Sequence, residues 1–182
     1  MRYLYISLVA AWLSPLNTLP AQAKSEPLEV GMDAAVTHHW SGVVSTYGNF
    51  PLPLIRLGIP LSANATIEPS LGYTSAHTEQ SSSTSVLASI SLVWRLHRFE
   101  DRADLFVHPA ASIAAASNRI RGVGYEDRAS QVGAQLGVGG RWRLSTAVYA
   151  RSEVNVSHGW PTHSVESHNA VSILLGLSVL IE

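Results

Sequence analysis

Apolar residues alternate with small, polar or charged residues over long stretches of this chain. In the stretch 144–156, residues such as Val154 fall on one side of the alternation, while Arg151 and Glu153 fall on the other. The stretch 171–181 repeats the pattern with Val, Ile and Leu at every second position. A period of two predicts β-strands with two unlike faces. Both stretches have about ten residues or more, the length with which a tilted strand crosses a bilayer, whereas strands of soluble proteins usually have about five or six.

Similar alternation recurs along the chain between clusters of turn-forming residues. It predicts eight strands, over residues 28–37, 52–61, 65–76, 85–96, 104–116, 130–142, 144–156 and 168–181, with Arg143 as a minimal turn before the seventh. The connections predicted as longer loops are residues 38–50, 77–84, 117–128 and 157–167. They alternate with short turns, as in antiparallel transmembrane barrels.

The strand faces separate charge from apolar surface. Eight charged residues fall on one common face: Glu29, Asp33, Arg56, Glu68, Arg95, Arg141, Arg151 and Glu153. Four acids thus meet four bases, while the opposite face carries essentially no charge. An ionised group facing lipid near the midplane costs about 2–4 kcal/mol, and a buried charge needs a partner. The pattern predicts an all-β, eight-stranded, antiparallel, up-and-down transmembrane β-barrel with a polar interior and an apolar exterior.

The competing fold is a secreted soluble β-sandwich, which would not require its connections to be sorted by length. Pro69 and Pro109 interrupt predicted strands, and each removes a backbone donor, so we expect a β-bulge at one of them. Glycines on the inner face, such as Gly137 and Gly139, are expected to make room for opposing side chains.

The first residues have the pattern of an export signal. Arg2 precedes an apolar segment, and Ala21-Gln22-Ala23 has the small-x-small form of a cleavage site. We therefore expect a signal peptide over 1–23 and one barrel domain over 24–182.

The chain has no cysteine, so disulfide and thiol chemistry are excluded, and its formal charge of −1 provides no basic excess for nucleic acid.

Two stretches resemble the small outer-membrane barrels of the OmpA/OmpX-like family. The glycine-rich stretch 132–144, followed by Tyr149-Ala150-Arg151-Ser152-Glu153, resembles the penultimate hairpin of that family, and Leu175-Gly176-Leu177-Ser178 resembles its closing strand. The family commonly ends in an aromatic residue that the insertion machinery reads, whereas this sequence ends Leu180-Ile181-Glu182. The resemblance implies the bacterial outer membrane as location and a monomer inserted by the barrel-assembly machinery. It also implies lipid and lipopolysaccharide as partners.

Candidate chemistry lies in or beside the predicted loops. Neutral imidazoles at one end of a barrel could bind zinc or copper, and His158, His163 and His168 are the candidate ligands. Small barrels that hydrolyse lipid A acyl chains use a Ser/His/acid set, and the residue types are supplied by His163, Ser164, Glu166, Ser167 and His168. Arg119, Arg121 and Arg128 could contact anionic head groups or be solvated.

No catalytic or cofactor-binding motif is present. A narrow eight-stranded barrel is filled by side chains and has no open pore. The sequence therefore favours a structural or surface-interaction protein that acts through its loops and is not an enzyme. The alternatives are a lipid A-modifying hydrolase and a metal binder.

Overall fold

The computed structural model describes residues 27–41, 44–78, 80–100, 102–120, 125–163 and 167–181. These residues form eight strands and no helix, so none of them belongs to a helix that could span a membrane. The strands are β1 (Leu28–Ser41), β2 (Val44–Ser62), β3 (Ala65–His77), β4 (Ser81–Phe99), β5 (Ala103–Ile120), β6 (Tyr125–Arg143), β7 (Val148–His163) and β8 (His168–Ile181). The expected signal peptide lies outside the described residues and stays a prediction.

The strands form a closed barrel in which each pairs antiparallel with its neighbours in sequence. β8 closes the ring on β1, with Val30 opposite Val179 and Thr37 opposite Ser172. We call the end that holds Leu28 and Ile181 the terminal end, and the opposite end the rim. The predicted all-β, eight-stranded antiparallel barrel is confirmed.

The strands run further towards the rim than the alternation predicted. β4 begins at Ser81 and β5 ends at Ile120, and these two residues are paired. The predicted loops 38–50, 77–84, 117–128 and 157–167 are therefore wrong over most of their length, because their residues continue the hairpin ladders. Polar residues outside a bilayer need no apolar face, so strand pairing persists there without hydrophobic alternation.

Two local predictions are corrected. The turn between β6 and β7 covers residues 144–147 instead of Arg143 alone, and the backbone N–H groups of Leu144 and Ser145 donate to the carbonyl of Val148. The proline bulge is also wrong, since Pro69 and Pro109 stay in register with Ile90 and Leu136. Each proline disturbs the pairing only with its second neighbouring strand, which is β2 for Pro69 and β4 for Pro109. There the residue pairs around the proline are missing, but the register does not shift. A lost donor removes a hydrogen bond and does not require an extra residue.

The outer face carries the apolar residues. Met32, Ile55, Leu71, Ile113 and Leu175 are exposed on it by 55–62% in the isolated chain. Aromatic residues flank this band, with Trp94, Phe99 and Trp142 towards the terminal end and Tyr73 and Trp160 towards the rim. Trp160 pairs with Val132 of β6, and Trp142 lies about ten residues further along that strand. For a tilted strand, this separation gives an apolar band about 25 Å tall.

Two inner glycines are required by their neighbours. A Cβ at Gly137 would overlap the side chains of Asn155 and Glu153, and one at Gly139 would lie 2.6 Å from Phe106 Cζ. The expectation that these glycines make room for opposing side chains is confirmed. They let β6 approach the side chains that fill the lumen.

Candidate functional site: the filled lumen and its two ends

A buried arginine organises the middle of the lumen. Arg56 projects inward from β2, where alternate residues face the interior, and its side chain is 3% exposed. Its Nη1 lies 2.7 Å from Glu29 Oε1 and 3.4 Å from Glu68 Oε1, while its Nε lies 2.9 Å from Asp33 Oδ2. Two strands, β1 and β3, thus contribute three carboxylates to one guanidinium, as a buried charge requires.

A second arginine continues the network from β7. Arg151 Nη1 contacts Glu68 Oε2 at 2.7 Å, and its Nη2 contacts Glu153 Oε2 at 2.6 Å. His108 Nδ1 lies 2.5 Å from the other oxygen of Glu153, whose side chain is fully buried. The Arg151 guanidinium also stacks 4.6 Å above the Phe106 ring. These contacts tie β3, β5 and β7 together across the lumen.

A third group of charges lies towards the terminal end. Arg141 bridges Glu29 and Asp104, with its Nη2 2.8 Å from Asp104 Oδ2. The Nε atoms of Arg95 and Arg98 each lie 3.3 Å from Asp104 Oδ1. Three guanidinium groups therefore share this one carboxylate.

The structure places all eight residues of the predicted interior set on the inner face and brings them into this connected set of ion pairs. Asp104 and Arg98 were missed. The alternation contained a signal for Asp104, because it lies two and four residues before the inward-facing Phe106 and His108. Arg98 follows an irregularity in the pairing between Arg95 and His97, where simple alternation fails.

Two cavities open on either side of the ion pairs. The terminal vestibule, of about 350 Å³, is lined by Pro27, Glu29, Gly58, Pro60, Thr66, Arg95, Arg98, Arg102, Ala103, Asp104, Arg141, Arg143, Tyr149 and Leu180. The rim vestibule, of about 370 Å³, is lined mainly by Ser, Thr, Gln and His residues. The side chains around Arg56 and Arg151 lie between the two.

The candidate metal ligands do not share a face where the structure describes them. His158 lies on the outer face, where its ring is 4.6 Å from the Trp160 ring and its Nδ1 is 2.8 Å from Asn169 Oδ1. His168 lines the rim vestibule, with its ring centroid 5.2 Å from that of His39. The side chain of His163 lies outside the described residues. Over the described part of the chain, no three His, Asp or Glu residues are placed to hold a metal ion.

The hydrolase candidates are described only in part. Ser164 and Glu166 lie outside the described residues, Ser167 is exposed, and His168 is the histidine in contact with His39. The arrangement of this Ser/His/acid set stays a prediction.

No protein-family model matches the chain, and no curated protein matches its sequence. Several solved structures match its fold. Neisserial surface protein A (NspA) is 14% identical, with a TM-score of 0.68 over 85% of this chain and 97% of that one. Ail, the attachment invasion locus protein of Yersinia pestis, is 11% identical, with a TM-score of 0.56 over 86% and 99%. A major outer membrane protein of Thermus thermophilus is 9% identical, with a TM-score of 0.58 over 85% and 99%.

The fold is that of the small outer-membrane β-barrels. The predicted resemblance to OmpA/OmpX-like barrels is confirmed at this level. The matched chains are covered almost completely, so the ring of eight strands accounts for nearly the whole of each. Ail has also been solved with the heparin analogue sucrose octasulfate.

Proposed function

We propose that this protein is a bacterial outer-membrane barrel without an open pore that interacts with other molecules through its rim. The observation that supports the proposal is the distribution of polar and apolar residues, which is the reverse of that in a water-soluble protein. Ion-paired charges lie inside the ring, and an apolar band edged by aromatic residues covers its outside. Outer-membrane barrels place charge and apolar surface in this way.

The filled lumen argues for interaction and against transport. Arg56, Arg151 and Glu153 are held between the two vestibules by direct ion pairs, and their side chains are 0–3% exposed. Opening a path would separate these pairs, at a cost of about 3–5 kcal/mol for each partner removed. The terminal end is then assigned to the periplasm and the rim to the cell surface, as for other barrels with an even strand number.

The rim presents polar hairpins that the ladders hold in place. On the β3–β4 hairpin, Ser75 Oγ and His77 Nε2 are 2.9 Å apart, and the Ser81 backbone N–H donates to Thr78 Oγ1 at 2.9 Å. Rigid polar hairpins suit contact with lipopolysaccharide or another surface saccharide. The complex of Ail with a heparin analogue supports an anionic saccharide as the probe. We expect the protein to be a monomer inserted by the barrel-assembly machinery.

Membrane embedding is tested by arginine substitutions at two depths. Leu175 lies in the middle of β8 on the outer face, and Ile181 lies at its terminal edge. Leu175→Arg should lower the free energy of unfolding in lipid vesicles by about 2–4 kcal/mol, and Ile181→Arg by about 0–1 kcal/mol. Urea titration followed by tryptophan fluorescence measures both. Equal, near-zero effects would contradict an outer face in lipid.

The rim interaction is tested by shortening one hairpin. Ser75 pairs directly with Thr84, so residues 76–83 can be replaced by Asn-Gly, which closes a two-residue antiparallel turn. We expect the variant in nanodiscs to lose most of its binding to immobilised lipopolysaccharide and heparin. The control carries the same Asn-Gly turn at Ala63 and Asn64, between the paired Ser62 and Ala65 of the terminal end. Equal binding by both variants would contradict a role for this hairpin.

A further inference from the structure

Arginines outnumber carboxylates among the described residues that line the terminal vestibule. Five arginines line it, against the carboxylates of Glu29 and Asp104. Glu29 also pairs with Arg56 in the middle of the barrel, so it only partly serves the vestibule. Asp104 is shared by Arg95, Arg98 and Arg141. The two described carboxylates of the vestibule are thus already engaged by arginines.

Two of these five arginines differ from the rest in their contacts. Arg102 and Arg143 line the vestibule, both are exposed, and neither forms an ion pair with a carboxylate among the residues that the structure describes. The backbone N–H of Arg143 donates to the carbonyl of Arg102 at 2.8 Å, which holds the two chain segments side by side. Two guanidinium groups that have no carboxylate partner in the described part of the chain thus line the same cavity.

The ring of Tyr149 lies against two of the vestibule arginines. The guanidinium carbons of Arg141 and Arg143 lie 5.0 and 5.8 Å from the centroid of the Tyr149 ring, which also lines the vestibule. Stacking on a ring reduces the freedom of a guanidinium while leaving its edge donors able to bind an anion. Each guanidinium presents five N–H donors in a planar fork that matches the oxygens of phosphate.

We propose that the terminal vestibule binds a phosphate-type oxyanion, either free or as the head group of a phospholipid. A volume of about 350 Å³ accommodates phosphate, diphosphate or glycerol phosphate. The site lies at the opposite end from the rim, so it is separate from the proposed surface interaction. Its failure would leave both tests of the proposed function unaffected.

The experiment measures inorganic phosphate and diphosphate binding to the barrel refolded in a non-ionic detergent at low ionic strength. Isothermal titration calorimetry gives the affinity, with chloride at matched ionic strength as the blank. We expect saturable binding of one anion per barrel. The double variant Arg102→Gln, Arg143→Gln should bind on the order of tenfold more weakly. The matched double variant Arg119→Gln, Arg128→Gln removes the same charge at the rim and should retain the affinity.

Folding of each variant is checked by the shift between boiled and unboiled samples on a denaturing gel. The source of the phosphate is distinguished by comparing glycerol 3-phosphate with short-chain phosphatidylglycerol below its micellar concentration. Much tighter binding of the lipid assigns the site to a head group, and equal binding assigns it to free phosphate. Absence of saturable binding, or equal loss in the vestibule and rim variants, would overturn the proposal.

Discussion

The middle of the lumen and the terminal vestibule use the same residue types in opposite proportions. In the middle, Arg56 and Arg151 are surrounded by the carboxylates of Glu29, Asp33, Glu68 and Glu153. At the terminal end the proportion is reversed, because Arg95, Arg98 and Arg141 all contact Asp104. The middle is enclosed, whereas the Arg98 side chain at the vestibule is 47% exposed.

This difference separates a structural role from a binding role. A buried ion pair cannot exchange its partner for water, so each member depends on the other. Ion pairs that reach solvent are screened and contribute little to stability, typically about 0–1 kcal/mol. The exposed arginines of the vestibule can therefore exchange contacts with an external anion without unfolding the barrel.

The largest expected effect comes from breaking the middle network. Glu153 has a fully buried side chain and pairs with both Arg151 and His108. Glu153→Ala should lower the free energy of unfolding by about 3–5 kcal/mol, because the buried Arg151 guanidinium and His108 imidazole lose the carboxylate that they contact. Urea titration of the barrel in lipid vesicles, followed by tryptophan fluorescence, measures the loss.

The control for this substitution is an ion pair of the vestibule. Arg98→Ala also removes one partner of an arginine–carboxylate pair, but we expect a loss of only about 0–1 kcal/mol because this side chain reaches solvent. Losses of similar size for the two variants would contradict the distinction between the enclosed middle and the open end.

The sequence was sufficient to predict the ring and the faces of its strands. Alternation assigned Glu29 and Asp33 to the inside and Val30 and Met32 to the outside, as observed. It succeeded because a lipid-facing surface excludes charge over the full height of the band. Where no lipid constrains the residues, the signal disappears, and for this reason the strand extensions towards the rim were predicted as loops.

Pairing across the lumen was not predictable from the sequence. Glu68 lies 83 residues from Arg151, and only the closed ring brings them together. A common position at one end of the barrel was also a misleading guide to the metal candidates, because His158 and His168 lie on adjacent strands of one hairpin and face opposite sides. Their faces follow from the register of β7 and β8, which the sequence alone did not specify.

A smaller effect should sharpen the comparison through packing. A Cβ at Gly31 would lie 2.5 Å from Arg56 Cζ and 2.7 Å from its Nε. The Arg56 guanidinium cannot move aside easily, because Glu29, Asp33 and Glu68 hold it. Gly31→Ala should therefore lower the free energy of unfolding by about 1–3 kcal/mol, as overpacked interiors do, in the same urea titration.

Gly58 provides the matched substitution, since it lines the terminal vestibule. Its added Cβ would lie 3.0 Å from Glu29 Cβ and 3.4 Å from Thr66 Cγ2, contacts that shifts of a few tenths of an ångström relieve. We expect Gly58→Ala to change the free energy of unfolding by less than about 1 kcal/mol. A larger loss for Gly58→Ala than for Gly31→Ala would show that the vestibule wall is as tightly packed as the middle. The vestibule arginines would then have no room to rearrange around an anion.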